Sequence, residues 1–130
     1  MMGTKIKEKT KEESFSAIFN DLKGILTPFA DQMVVAQDAP EAYSLDTTKF
    51  VKPNQRVFFG AAKIQKRYVS FYLMPVYAHP ELLNQISDEL RQRMQGKSCF
   101  NFTKPDMSLL AELKELTARG YAAYQQRGWV

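Results

Sequence analysis

Very few side chains in this chain of 130 residues combine a reactive type with a telling arrangement. His79 is the single histidine and Cys99 the single cysteine. A histidine titrates near neutrality and can serve as a base or a metal ligand. It needs partners for either task, and only Glu81 stands close to His79 in sequence. Directly before Pro80, His79 reads more simply as the residue at a helix start. Cys99 becomes a nucleophile only if a positive charge lowers its pKa. Lys97, two residues away, shares a side with it on a regular strand. A small, half-buried strand residue is the simpler account of Cys99. Asp38, Glu41 and Asp46 are spread over nine residues without the close spacing of a calcium loop. Asp88 and Glu89 are adjacent, so a helix points them to different sides. All five acids read as solvated surface charge.

The basic residues form a more compact group. Lys63, Lys66 and Arg67 lie in one polar connection, close in sequence to Lys52 and Arg56, and Tyr68 and Tyr72 follow. Charge beside stacking rings suits phosphate or single-stranded nucleic acid. The simpler reading is a charged turn that discourages edge pairing of the strands beside it. The net charge of +4, from 18 basic and 14 acidic residues, is mild. Lys5, Lys7, Lys9 and Lys11 all fall in the first eleven residues, so a basic tail explains the excess and nucleic acid is not the expected partner. The chain contains no glycine-rich phosphate loop, no G-x-S-x-G and no H-E-x-x-H.

The elements that must position these groups follow from length and patterning. At this length the chain fits one domain that can bury its own core. Residues 1–11 read as a flexible basic tail and residues 12–130 as a single domain. One cysteine cannot form an internal disulfide, which favours a reducing compartment. The charged start lacks the apolar run of a signal peptide, and no stretch approaches the roughly 20 apolar residues of a membrane span. A cytoplasmic protein without a membrane partner is therefore expected.

Phe15, Ile18, Phe19, Leu22, Ile25 and Leu26 recur at helical spacing and predict an amphipathic helix from Glu12 to about Phe29, ended or kinked by Pro28. Residues 33–54 are ambiguous, with short strands at Met33–Ala36 and from Ala42 toward Thr48. Val57–Ala62 and Tyr68–Met74 carry the β-branched and aromatic residues of a hairpin. In the second strand Val69, Phe71 and Leu73 face the core, and Tyr68, Ser70 and Tyr72 face a partly wet side. Gly60 leaves room for a close neighbour, such as an aromatic ring across the ladder. A second helix is expected from Pro80 to Met94, capped by Gly96, then a strand at Ser98–Phe102. A third helix follows, capped by Asp106 or Ser108, with Gly120 in its interior. Strands grouped apart from helices argue for an α+β fold: an antiparallel sheet with a central aromatic hairpin packed against three helices. Tyrosine on a half-exposed face makes Tyr68 and Tyr72, with Tyr43 in the segment 38–48, the expected ligand contacts.

Val57–Ala62, then Tyr68–Pro75, then the helix and Gly96–Phe102, resemble the YdhG-like family of small bacterial domains over about residues 40–127. Some members of that family are described as frataxin-like intracellular iron chaperones. The resemblance implies a frataxin-like α+β fold, a bacterial cytosolic setting and iron as a cofactor or cargo. Iron handling in that group goes with an acidic surface. This chain departs from it by being basic and by mixing Glu12, Glu13 and Asp21 with Lys11 and Lys23 in its first helix. Gly96, Phe100 and Phe102 read as structural within the shared pattern, and Lys97 is its one position with functional potential. The expected function is a non-enzymatic domain that binds a small molecule or a partner protein. The alternatives are an iron chaperone and an enzyme using Lys97 or His79.

Overall fold

Thr10 begins the ordered description of the protein. Its hydroxyl accepts from the Glu13 N–H, and the Glu13 carboxylate accepts from the Thr10 N–H. This reciprocal cap satisfies amides that a helix start leaves without partners. Helix α1 (Lys11–Leu26) follows, and a 3₁₀ turn over Thr27–Gln32 takes over before Pro28 can disrupt the α-helical ladder. The computed structural model describes residues 10–130, so the tail expected over residues 1–11 lies outside the described residues as far as residue 9. Thr10 and Lys11 belong to the helix cap and first turn.

Five antiparallel strands form one sheet in chain order: β1 (Val34–Ala39), β2 (Ala42–Lys52), β3 (Gln55–Ile64), β4 (Val69–Leu73) and β5 (Cys99–Phe102). The ambiguous segment thus supplies two whole strands, the second of 11 residues. Thr47, Thr48, Phe50 and Val51 are strand formers that extend β2 well beyond Thr48. β1 pairs with β2 only as far as Asp46, and β4 pairs with β3 only from Gly60. The far end of the β2–β3 hairpin therefore projects as a two-stranded arm.

The sheet separates its two faces by cross-strand rows. Asp38, Tyr43, Ala62, Phe71 and Phe100 form one row, and Leu45, Gly60 and Leu73 form another. These rows face α1 and the last helix, α4 (Met107–Gln126), and they hold the core. Val69, Phe71 and Leu73 point inward as the period of two in β4 predicts. The opposite rows are Gln37, Ser44, Ala61, Tyr72, Cys99 and, beside it, Lys63, Ser70, Asn101. Among the described residues no helix layer covers them.

A bulge breaks the alternation in β3. Leu45 pairs with Gly60 but Asp46 pairs with Phe58, so Phe59 is an extra residue. Phe59 and Gly60 both face inward, and Phe58 is left on the open side. Phe59 packs against Phe29, Tyr121 and Tyr124, with ring centroids 5.7, 6.2 and 5.8 Å away. The close neighbour that Gly60 admits is a helix residue, not a cross-strand ring. A Cβ there would meet Leu26 Cδ2 and the Tyr72 carbonyl, each at 3.0 Å.

The helix expected over Pro80–Met94 is broken into pieces, so the three-helix arrangement becomes two long helices and a segmented connection. α2 (Met74–Ala78) follows β4 directly, a 3₁₀ turn spans Pro80–Gln85, and α3 (Asp88–Arg91) is a single turn. The break lies at Ile86 and Ser87, which are extended. Glu112 of α4 holds it there, accepting from the Ser87 N–H at 2.8 Å and the Ser87 hydroxyl at 2.6 Å. Gly96 (φ 78°) does not cap that helix but sits in the turn before β5, after the lone bridge of Met94 with Phe100. Asp106 caps α4 by accepting from the Leu109 N–H. Gly128 (φ 75°) ends it, with Gly128 N–H on the Gln125 carbonyl and Trp129 N–H on the Tyr124 carbonyl. Trp129 accordingly folds back onto Tyr124, at 5.1 Å between ring centroids.

Candidate functional site

The open face of the sheet owes its shape to the sizes of its side chains. Small residues, Ser44 and Ala61, form a floor at its middle, while Phe58, Tyr72, Lys63 and Gln37 stand around it. Together they line a shallow cavity of about 280 Å³. Phe58 and Tyr72 are half-buried rings on adjacent strands, and Lys63 is exposed beside them. The floor and walls come from β1 to β4, so the segment 38–48 is part of the ligand face itself. It does not stand apart from the strand that carries Tyr72, because it pairs into the same sheet.

A polar network fixes the β4–β5 side of this face. Gln65 Nε2 donates to Tyr72 Oη at 3.2 Å, and Ser70 Oγ donates to Asn101 Oδ1 at 2.7 Å. Asn101 Nδ2 donates to Gln95 Oε1 at 2.6 Å, and Cys99 Sγ donates to Asn101 Oδ1 at 3.3 Å. Ser70 is fully buried, not wet, because these neighbours close over it. Burial pushes the Cys99 thiol up from its ordinary value, with hydrogen bonds to Ser70 and Tyr72 pulling the other way. A thiol so held is a structural member of the network and a poor nucleophile.

At the other end, Asp46 pairs with Phe58 across the open face. Burial raises the Asp46 carboxyl, and the charge of Arg56 opposes that shift. Arg56 lies opposite Phe50 on the projecting arm, its guanidinium 4.7 Å from the ring centroid. Phe50 and Val51 are 48% and 55% exposed there.

Of Tyr43, Tyr68, Tyr72 and Lys97, the structure brings Tyr43 and Tyr72 to the lining of one cavity and places Lys97 at another. Tyr72 lies in the cavity wall. Tyr68 precedes β4 in the turn, where its carbonyl accepts from the Gln65 N–H at 2.8 Å, and strand alternation puts it on the Tyr72 side. Tyr43 turns to the helix face, with Lys23 Nζ 5.1 Å from its ring centroid. Lys23 also pairs with Asp38 at 3.1 Å. Burial raises the Tyr43 hydroxyl first of all; Asp38 adds to the rise and Lys23 opposes it. Lys97 stands at another end of the molecule, over the Tyr77 ring at 5.8 Å. Both line a separate apolar cavity of about 550 Å³ with Val76, Pro80, Leu83 and Met94.

His79 precedes the 3₁₀ turn as expected, without a side-chain cap bond. Its Nδ1 lies 3.5 Å from Glu81 Oε2, and its buried Nε2 has no hydrogen-bond partner. Among the described residues, no three His, Cys, Asp or Glu side chains come together to hold a metal ion. Among them too, no helix is long and apolar enough to cross a membrane.

Phe58 is the site residue that sequence reasoning missed. Its neighbours Val57 and Phe59 face the core, and the bulge is what lets Phe58 share the open side with Ala61, three residues on. A second signal was legible: from Thr47 to Pro80 the chain has no acidic residue, while Lys49, Lys52, Arg56, Lys63, Lys66 and Arg67 all fall there. No family model, no curated protein and no solved structure matches this chain.

Proposed function

We propose that this domain is a non-enzymatic binding module that takes a small ligand or a partner protein on the open face of its sheet, around Tyr72. One observation carries the reading. Among the described residues the five-stranded sheet has its helices on one face, and the other face bears a cavity walled by two half-buried rings. A sheet face left without a layer ordinarily turns polar throughout, and a ring pair over a floor of small residues gives a planar or apolar group somewhere to lie. The kinship to the YdhG-like family, carried by residues of β3, β4 and β5, belongs to the same proposal. Iron has no such support, because the acidic residues nearest the face are Asp46, offset by Arg56, and Asp38, paired with Lys23. Lys97 and His79 lie away from the open face and do not enter the reading.

A thermal-shift screen of the full chain against anionic metabolites, planar aromatic compounds and Fe²⁺ tests it. The expected result is stabilisation by at least one aromatic or anionic class that is lost in Tyr72→Leu. Stabilisation by none of them, or equal stabilisation of the variant, refutes the site.

A further inference from the structure

We infer that the open face is a platform for single-stranded nucleic acid; this rests on the site proposed above around Tyr72 and assigns it a polymeric ligand in place of a small molecule or a protein. Rings recur along the face. Phe58 on β3 and Tyr72 on β4 line one cavity, and Phe50 continues the series onto the projecting arm. Every nucleobase has a π-face, so rings of this kind hold bases whatever their sequence. Tyr72 pairs with Ala61, and Phe58 lies three residues from Ala61 along β3, so the two rings are offset along the face and can each carry a separate base.

Charge is matched to the rings. The chain's +4 conceals a stretch, Thr47 to Pro80, with six cations and no acid. That stretch builds the arm, β3, β4 and the turn between them. Within it Lys63 stands in the cavity wall beside Tyr72, and Arg56 lies over Phe50. Cations interleaved with rings are what a phosphate backbone with unstacked bases requires. The small floor at Ser44 and Ala61 leaves space for a planar group between the walls. A duplex keeps its bases stacked on one another and cannot use the rings without paying to extrude them. Asp46 is the one acid on the face, and its charge opposes a phosphate there.

The test is fluorescence anisotropy of the full chain with a labelled oligothymidylate and oligouridylate of about 12 nucleotides, within the site sizes of single-strand binders. An unlabelled duplex of the same length and thymidine monophosphate serve as competitors. The single strand is expected to bind more tightly than the duplex, and the monophosphate to compete weakly. Phe58→Leu and Tyr72→Leu should each weaken binding about tenfold, the worth of one stacked base. Lys63→Gln should lower the slope of log affinity against log salt by about 0.7. Asp46→Asn should tighten binding. Lys63 is exposed, so its variant reports even if a ring variant folds poorly. Circular dichroism of each variant separates misfolding from loss of contact.

Absence of single-strand binding at about 50 mM salt overturns the inference. So does equal affinity for duplex, or competition by the monophosphate as strong as by the oligomer. Affinity unchanged by both ring variants and by Lys63→Gln overturns it as well, because binding would then belong elsewhere on the chain. If single strands fail while the metabolite screen finds a ligand that Tyr72→Leu loses, the site stands and only its ligand class falls. If both fail, the site falls with it.

Discussion

Replacing Tyr124 with phenylalanine removes one oxygen from the middle of the protein and leaves the ring in place. Tyr124 is fully buried, and its hydroxyl donates to the Phe58 carbonyl at 2.8 Å, joining α4 to β3 beside the bulge. The ring packs edge-on against Phe59 and Trp129, with centroids 5.8 and 5.1 Å away, and those contacts survive the substitution. The loss is therefore that of one buried hydrogen bond, about 0.5–1.5 kcal/mol. Its pH dependence makes the prediction specific. Burial raises the Tyr124 hydroxyl well above the ordinary phenol range, and the charge of Arg127 offsets this only in part. As pH passes about 10, the unfolded chain releases this proton and the folded chain keeps it. The folded state then binds more protons, so stability falls with rising pH by about 1.4 kcal/mol per unit. The contribution is complete below pH ~10 and drains away above it.

Tyr124→Phe carries no such proton. The wild type should be more stable by about 1 kcal/mol at neutral pH, and the two should cross between about pH 10 and 11. Tyr43 is also raised, but it is present in both proteins and drops out of the difference. Urea unfolding of both proteins from neutral pH to about 11 measures the crossing. A difference that stays constant over that range would mean that the hydroxyl is not shielded. Equal stability at neutral pH would mean that the bond to Phe58 contributes nothing.

Phe71→Ala removes a fully buried ring from the central row of the covered face and should cost about 3–5 kcal/mol. A urea melt showing less than about 1 kcal/mol would mean the faces of β4 are reversed. Gly120→Ala would put a Cβ 2.9 Å from Pro75 Cβ and 3.1 Å from its Cγ. The ring cannot swing away, so overpacking of about 1–3 kcal/mol should outweigh the roughly 1 kcal/mol that alanine gains over glycine in a helix. A higher Tm would mean that α2 yields freely. Cys99 should react slowly with a disulfide probe in the native protein at mildly alkaline pH and quickly once denatured, because burial raises its pKa. Fast labelling of the folded chain would place the thiol outside the Ser70–Asn101 network.

What could be read from sequence was what depends on neighbours within one element. The stripes of α1 and α4 and the inward set of β4 follow from periods of 3.6 and 2, and Asp106 was legible as the cap of α4, whereas the Thr10 cap of α1 fell within the expected tail. The middle helix could not be read this way. Its apolar spacing suits a continuous helix, but Glu112, 25 residues away, holds Ser87 extended. Tyr43 and Tyr72 both look like half-exposed strand tyrosines, yet pairing of Tyr43 with Ala62 and of Tyr72 with Ala61 sends them to opposite faces. Register decides this, and a slip of one residue reverses it. The bulge at Phe59 is likewise a property of two paired strands. The acid-free stretch from Thr47 to Pro80 was plain in sequence, but its meaning depended on knowing that β3 and β4 present rings to the same open side.

The contrast between the two faces bears on why Phe58 is where it is. The covered face takes Leu45, Val57, Val69 and Leu73 together with Tyr43, Phe59, Phe71 and Phe100, and helices bury them all. Among the described strand residues, the large apolar groups of the open face are Val34 at the edge, Phe58, the ring of Tyr72 and Phe50 on the arm. Burial alone would not select aromatic rings over solvent-facing threonine on an uncovered sheet. Alternation leaves Phe58 outward between Val57 and Phe59, and the bulge sets Phe59 and Gly60 together on the inward side. Phe58 is tied from below by its carbonyl, through Tyr124, and offers its ring above. Loosening that tie should therefore blunt ligand capture without abolishing it. Tyr124→Phe is expected to weaken binding at the open face less than Phe58→Leu does. The combined variant should be no weaker than Phe58→Leu alone, since the tie has nothing to position once the ring is gone. Additive losses in that pair would separate the bulge from the site and leave the outward turn of Phe58 a matter of folding only.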